Sequence, residues 1–122
     1  MSTLEDKIDV DSLYTTITLH SGLIKAGEVI VRASQCHTNW RVIQWMEVDS
    51  TYRRQGIAKI LLKRIVQMFH GYTIIAALEH EYLHAMYLAE GFVREKDYTW
   101  ELEDGRRITG VWFYHYPTSI PQ

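Results

Sequence analysis

The chain has 122 residues, 47% of them apolar and 23% charged, with a formal net charge of −2. That length fits one domain over residues 1–122, with a core large enough to need no metal or disulfide staple. The slightly acidic balance argues against a general nucleic-acid binder, and no apolar run approaches the roughly eighteen residues of a membrane span. Cys36 is the single cysteine, so an internal disulfide is excluded and a reducing cytoplasm is the expected setting.

Residues 1–12 are polar and acidic (Glu5, Asp6, Asp9, Asp11) and read as a loose arm. Residues 13–20 are rich in Thr, Tyr and Ile and suit a strand, with Ser21-Gly22 as a turn into a second strand over 23–34. Gly27 marks a bulge in that second strand. A third strand, 40–48, carries apolar residues on both faces and is expected at the centre of a sheet. Apolar residues at 57, 61, 65 and 68 and at 62, 66 and 69 predict a helix with a wide buried stripe, stopping at His70-Gly71. Residues 73–78 read as a buried parallel strand, and 79–90 as a second helix ending at Gly91. Strands over 92–102 and 106–116 follow, joined through Asp104-Gly105, and 117–122 form a loose tail. The order is β-β-β-α-β-α-β-β, an α/β fold with a mixed, mostly antiparallel sheet around one parallel strand–helix–strand unit.

The segment between the third strand and the first helix carries the chemistry. A helix N-terminus offers amides without acceptors and the positive end of the helix dipole, which together suit a phosphate. Arg53, Arg54 and Lys59 add positive charge there, and Gly56 lets the backbone approach a ligand closely. A Walker loop is excluded, because Ile57-Ala58-Lys59 follows Gly56 where Lys-Ser/Thr is required. A dinucleotide fingerprint is excluded because only one of its three glycines is present.

Arg53-x-x-Gly56-x-Ala58 resembles the acetyl-CoA signature of the GNAT superfamily of N-acetyltransferases, Gln/Arg-x-x-Gly-x-Gly/Ala. Tyr87-Leu-Ala-Glu-Gly91-Phe92 is similar to the family's helix tyrosine followed by Gly-Phe at the next strand. The resemblance spans about residues 23–102 and implies a GNAT-like fold with acetyl-CoA as donor substrate and no metal. It implies that Arg53, Arg54, Gln55, Gly56, Ile57, Ala58 and Lys59 surround the CoA pyrophosphate, while the backbone of Met46, Glu47 and Val48 pairs with the pantetheine arm. It further implies that Tyr87 protonates the departing thiolate. Glu79 is the preferred general base, with Glu47 and His80 as alternatives; His80 stands where many relatives have Asn.

The acceptor implied is a primary amine, on a protein or a small molecule. Most members of that superfamily place a strand and two helices before the first hairpin, so this chain reads as a compact member without those helices. Its acceptor cleft is then open, or completed by a second chain in a homodimer.

His80-Glu81-Tyr82-Leu83-His84 offers a competing reading, since His-Glu-x-x-His on a helix is the zinc-ligand spacing of metallohydrolases. It leaves the Arg53–Ala58 loop unexplained, and a third ligand would have to come from Glu103 or Asp104 in the hairpin turn. A non-catalytic CoA-binding module is the other alternative. The aromatic last hairpin (Tyr98, Trp100, Trp112, Phe113, Tyr114, Tyr116) suits cross-strand packing, or a dimer or acceptor surface.

Overall fold

Alternation of apolar and polar residues folds the first half of the chain into antiparallel strands, and the periodic segment after it into a helix that covers one face. The computed structural model describes residues 4–53 and 55–118. The strands are β1 (Leu4–Val10), β2 (Tyr14–Ser21), β3 (Ile24–Ala33), β4 (Trp40–Val48), β5 (Thr73–Leu78), β6 (Val93–Glu101) and β7 (Arg107–His115). Helix α1 (Ile57–Met68) lies between β4 and β5, and α2 (His84–Ala89) between β5 and β6. The sheet order is β1-β2-β3-β4-β5-β7-β6, antiparallel throughout except for the β4–β5 pair. This is the mixed α/β arrangement expected, with β4 at its centre.

Residues directly opposite one another across a ladder share a face. Ile17, Val29 and Met46 therefore stand in one row, and Ile43, Ala76 and Phe113 in another. Onto this face α1 lays Ile57, Leu61, Leu62 and Ile65, all buried, and α2 adds Tyr87. Lys63 Nζ and Glu90 Oε1 lie 2.9 Å apart and tie α1 to the end of α2. That end is a Schellman turn, with the Phe92 N–H on the Tyr87 carbonyl at 3.1 Å and Gly91 at φ 92°.

The register shift in β2–β3 leaves Ala26 as the extra residue, beside Gly27. The Ala26 carbonyl accepts the Asp49 N–H at 2.9 Å, which fastens the chain leaving β4. Gly27 itself serves close packing. A Cβ built there would stand 2.6 Å from Ile57 Cγ2 and 3.3 Å from the Glu47 carbonyl. Gly27→Ala is therefore expected to push the first turn of α1 off the sheet and destabilise the fold by about 1–3 kcal/mol, read from the midpoint of a urea titration.

Two expectations need correcting. Residues 4–10 are not a loose arm but strand β1, paired along its whole length with β2, so four strands rather than three precede the first helix. Asp6 reaches Arg64 of α1 at 2.8 Å. Leu4, Asp6, Ile8 and Val10 take the helix-side face, and the Glu, Lys and Asp residues between them suit an edge strand that must not recruit another chain. Residues 11–13 join β1 to β2, with Asp11 Oδ1 accepting the Leu13 and Tyr14 amides, each at 2.8 Å. A tight turn thus stands where two helices are usual in the resembling superfamily.

The second helix is also shorter than 79–90. His80 is extended (φ −115°, ψ 120°), Glu81–Leu83 form a 3-10 turn, and α2 begins at His84. Glu79, His80, Glu81 and Tyr82 are all exposed and offer no packed face to hold a longer helix. Of the tail, 117 and 118 have no regular structure, and 119–122 lie outside the described residues.

Candidate functional site

The ladder between β4 and β5 stops early. It runs from Trp40↔Thr73 to Ile43↔Ala76, after which β4 stays paired with β3 and β5 with β7. A register shift at Gln44, opposite Ile30 and Val31, turns β4 away at that point. Residues 44–48 therefore present one backbone edge to a gap, across from Ala77 and Leu78. Met46 and Val48 send half-buried side chains into the helix-side core, while Glu47 is exposed on the other face. Nothing in the sequence marks Gln44 as a bulge, so the gap was not legible there.

The loop above the gap is built by local bonds. Asp49 Oδ1 accepts the Thr51 N–H at 2.9 Å, closing a 3-10 turn over Ser50–Tyr52. Gln55 Nε2 returns to the Thr51 carbonyl at 3.4 Å. Gly56 then takes a left-handed conformation (φ 77°, ψ 14°), which L residues with a Cβ rarely adopt, and α1 starts at once.

The first helical bond runs from the Ile60 N–H to the Gly56 carbonyl at 3.0 Å, so the amides of Ile57, Ala58 and Lys59 precede any intrahelical acceptor. No acidic residue occupies the first turn, and the space above Gly56 is open for 4 Å. Arg53 and Lys59 are exposed beside it. Arg54, expected to contribute, lies outside the described residues.

Tyr87 sits in α2 with 3% of its surface exposed, its ring edge-on to Phe92 at 5.0 Å and near Phe113 at 6.3 Å. Burial pushes its hydroxyl up to about 12, so it holds its proton across the neutral range. Since β4 and β5 run parallel, α1 and α2 both begin at the same end of the sheet, where the two strands part.

Glu79 is exposed at that end of β5 and lines a cleft of about 480 Å3 with Glu81, His84, Arg94, Asp97 and Tyr98. Burial, and secondarily the charge of Glu79, raise the Tyr98 phenol above its ordinary value. Of the hairpin residues in this cleft, Tyr98 belongs to the aromatic hairpin read from the sequence, whereas Arg94 and Asp97 carry no signal there, because only the folded hairpin brings them to β5.

The His-Glu-x-x-His segment does not lie on one helix. His80 is outside it and stacks on Tyr82 at 5.4 Å, whereas the His84 ring packs against Phe113 at 4.8 Å. Among the described residues no three His, Cys, Asp or Glu side chains converge as a metal cluster. The spacing on which the zinc reading rested is therefore not realised.

The profile of the acetyltransferase (GNAT) family matches residues 17–92. The chain belongs to the GNAT acetyltransferase family. No curated protein matches the sequence. Among solved structures, the ribosomal-protein-S18-alanine N-acetyltransferase of Escherichia coli superposes with a TM-score of 0.76 at 18% identity, covering 93% of this chain and 75% of that one. An acetyltransferase of Bacillus subtilis in complex with CoA gives 0.76 at 14% identity, covering 95% of this chain and all of the other. A chimeric spermidine N-acetyltransferase from Vibrio cholerae gives 0.72 at 18% identity over 87% of this chain and 67% of that one. At such identities these likenesses establish the fold, and the family profile establishes the class.

Proposed function

We propose that this chain transfers an acetyl group from acetyl-CoA to a primary amine by direct attack in a ternary complex. The observation that carries the reading is the gap between β4 and β5 opening beneath the uncapped first turn of α1. An extended pantetheine arm fits the free edge of Met46, Glu47 and Val48, and the pyrophosphate fits the amides from Arg53 to Lys59, as a phosphate does at any helix N-terminus. A backbone N–H on that edge is suited to the oxyanion that forms when the amine nitrogen attacks the thioester carbonyl.

As the carbon–sulfur bond breaks, the thiolate takes the Tyr87 proton. The ammonium proton leaves through Glu79, directly or through water. Arg53 and Lys59 hold the donor electrostatically and take no part in the bond changes. The structural relatives include an N-acetyltransferase named for an alanine of ribosomal protein S18 and one named for spermidine, so a primary amine on a protein or a small molecule fits the cleft at Glu79. The turn in place of two helices leaves that cleft open, which favours a protein amine. The exposed thiol of Cys36 suits a reducing cytoplasm.

Acetyl-CoA is expected to raise the melting temperature by preferential binding to the folded state, and free thiol should appear when a panel of amines is added. Glu79→Gln should lower kcat/KM for the amine by about 10²-fold and keep the thermal shift with acetyl-CoA. A thermal shift without transfer to any amine would make the chain a CoA-binding module; no shift at all would remove the donor assignment.

A further inference from the structure

We propose that the sheet face turned away from the helices, over β4, β5, β7 and β6, is the interface through which two copies of this chain pair about a two-fold axis. Both helices pack on the other face, and the open one divides into two halves of opposite character. Over β1 to β3 it carries Lys7, Asp9, Thr16, Glu28 and Arg32, which suit water, with Tyr14 and Ile30 as the apolar exceptions. Over the remaining strands the ladders place Trp45, Ile75, Val93, Tyr98, Trp100 and Trp112 there, with Lys96 as a charge among them.

Trp45, Val93 and Trp100 are 51%, 47% and 62% exposed. The rings of Tyr98 and Trp112 meet at 5.2 Å and those of Trp40 and Tyr114 at 5.9 Å, so the half-buried aromatics form one contiguous layer. With about 150–250 Å2 per aromatic side chain, this half leaves on the order of 700 Å2 of largely apolar surface open, close to the ~800 Å2 that each partner contributes to a stable interface. A sequence that solvates one half of a face and not the other has prepared the second half for cover.

The charges say what covers it. Glu28 and Glu47 stand directly opposite each other on β3 and β4; Lys25 reaches Glu28 at 3.6 Å, whereas Glu47 has no ion-pair partner among the described residues and favours a nearby cation. Lys96 lies at the far margin of the patch, on β6, with Trp112 and then Ala77 beside it in register. A two-fold axis through the middle strands, β5 and β7, brings β6 of one copy over β4 of the other. Lys96 then approaches Glu47 twice, as an isologous interface requires. A second copy is thus the partner whose charges fit.

Sedimentation over a concentration series should give the mass of two chains. Trp100→Glu, on an exposed strand, should weaken pairing at least tenfold. Lys96→Glu and Glu47→Lys should each do the same, because each places like charges across the axis. Mixing those two variants should restore the dimer, since both cross-axis pairs are then of opposite sign, a recovery that local unfolding cannot produce. A single-chain mass at every concentration overturns the proposal. So does a dimer indifferent to Trp100→Glu, or a mixture that pairs no better than its components.

Discussion

Tyr87→Phe is expected to lower kcat for acetyl transfer by at least about 10²-fold, with the KM for acetyl-CoA nearly unchanged. The substitution removes one hydroxyl and keeps the ring, whose packing against Phe92 holds α2 to the sheet. Stability near neutral pH should stay within about 1 kcal/mol of the wild type, so the loss of rate cannot be assigned to unfolding. The phenol supplies a second, independent readout. Its folded value of about 12 lies above the ordinary 10.0. As pH rises above 10.0 the unfolded chain ionises first, and the wild type loses stability until the folded group also titrates near 12. A two-unit difference amounts to about 2–3 kcal/mol, and urea midpoints measured across that alkaline window should fall further in the wild type than in Tyr87→Phe, where the raised phenols of Tyr98 and Tyr116 remain. An unchanged kcat alongside a reduced alkaline fall would leave Tyr87 a core aromatic and nothing more.

Legibility in the sequence followed how locally each feature is determined. β4 and β5 have the boundaries read from their apolar runs, and α1 differs by one residue, because turn residues and a change of period mark their ends. The loop before α1 is equally readable: Gly56 answers to its own φ, and free amides follow from any helix start. β1 was hidden because its alternation is written partly in Asp, Glu and Lys, residues that an edge strand uses and that composition assigns to a loose end. The second helix is shorter in the fold than the 79–90 expected from the sequence. In the fold, residues 79–82 face water and gain nothing from a helical turn. The β4–β5 gap is a property of two strands that part, and no single residue encodes it. The segregation of the open face is likewise written in registers that only the assembled sheet defines.

Gly56→Glu is expected to weaken acetyl-CoA binding by about 100-fold, roughly 2.7 kcal/mol, and to abolish the thermal shift that the donor produces. Two effects of the substitution must be separated, and Gly56→Ala separates them. A Cβ at this position meets nothing within 4 Å, so alanine introduces only the conformational penalty of φ 77°, about 1–2 kcal/mol of stability. Glutamate adds to that penalty a chain and a negative charge, projected into the open space above Ile57, Ala58 and Lys59. If the amides there hold the pyrophosphate, the alanine variant should melt earlier yet still gain stability from acetyl-CoA. The glutamate variant should melt at a similar temperature and gain nothing. In cells, protein acetylation that depends on this chain should then disappear in Gly56→Glu, and the peptides lost would identify the acceptor. Equal donor binding by glutamate and alanine variants would move the pyrophosphate away from this turn and leave the first turn of α1 without its ligand.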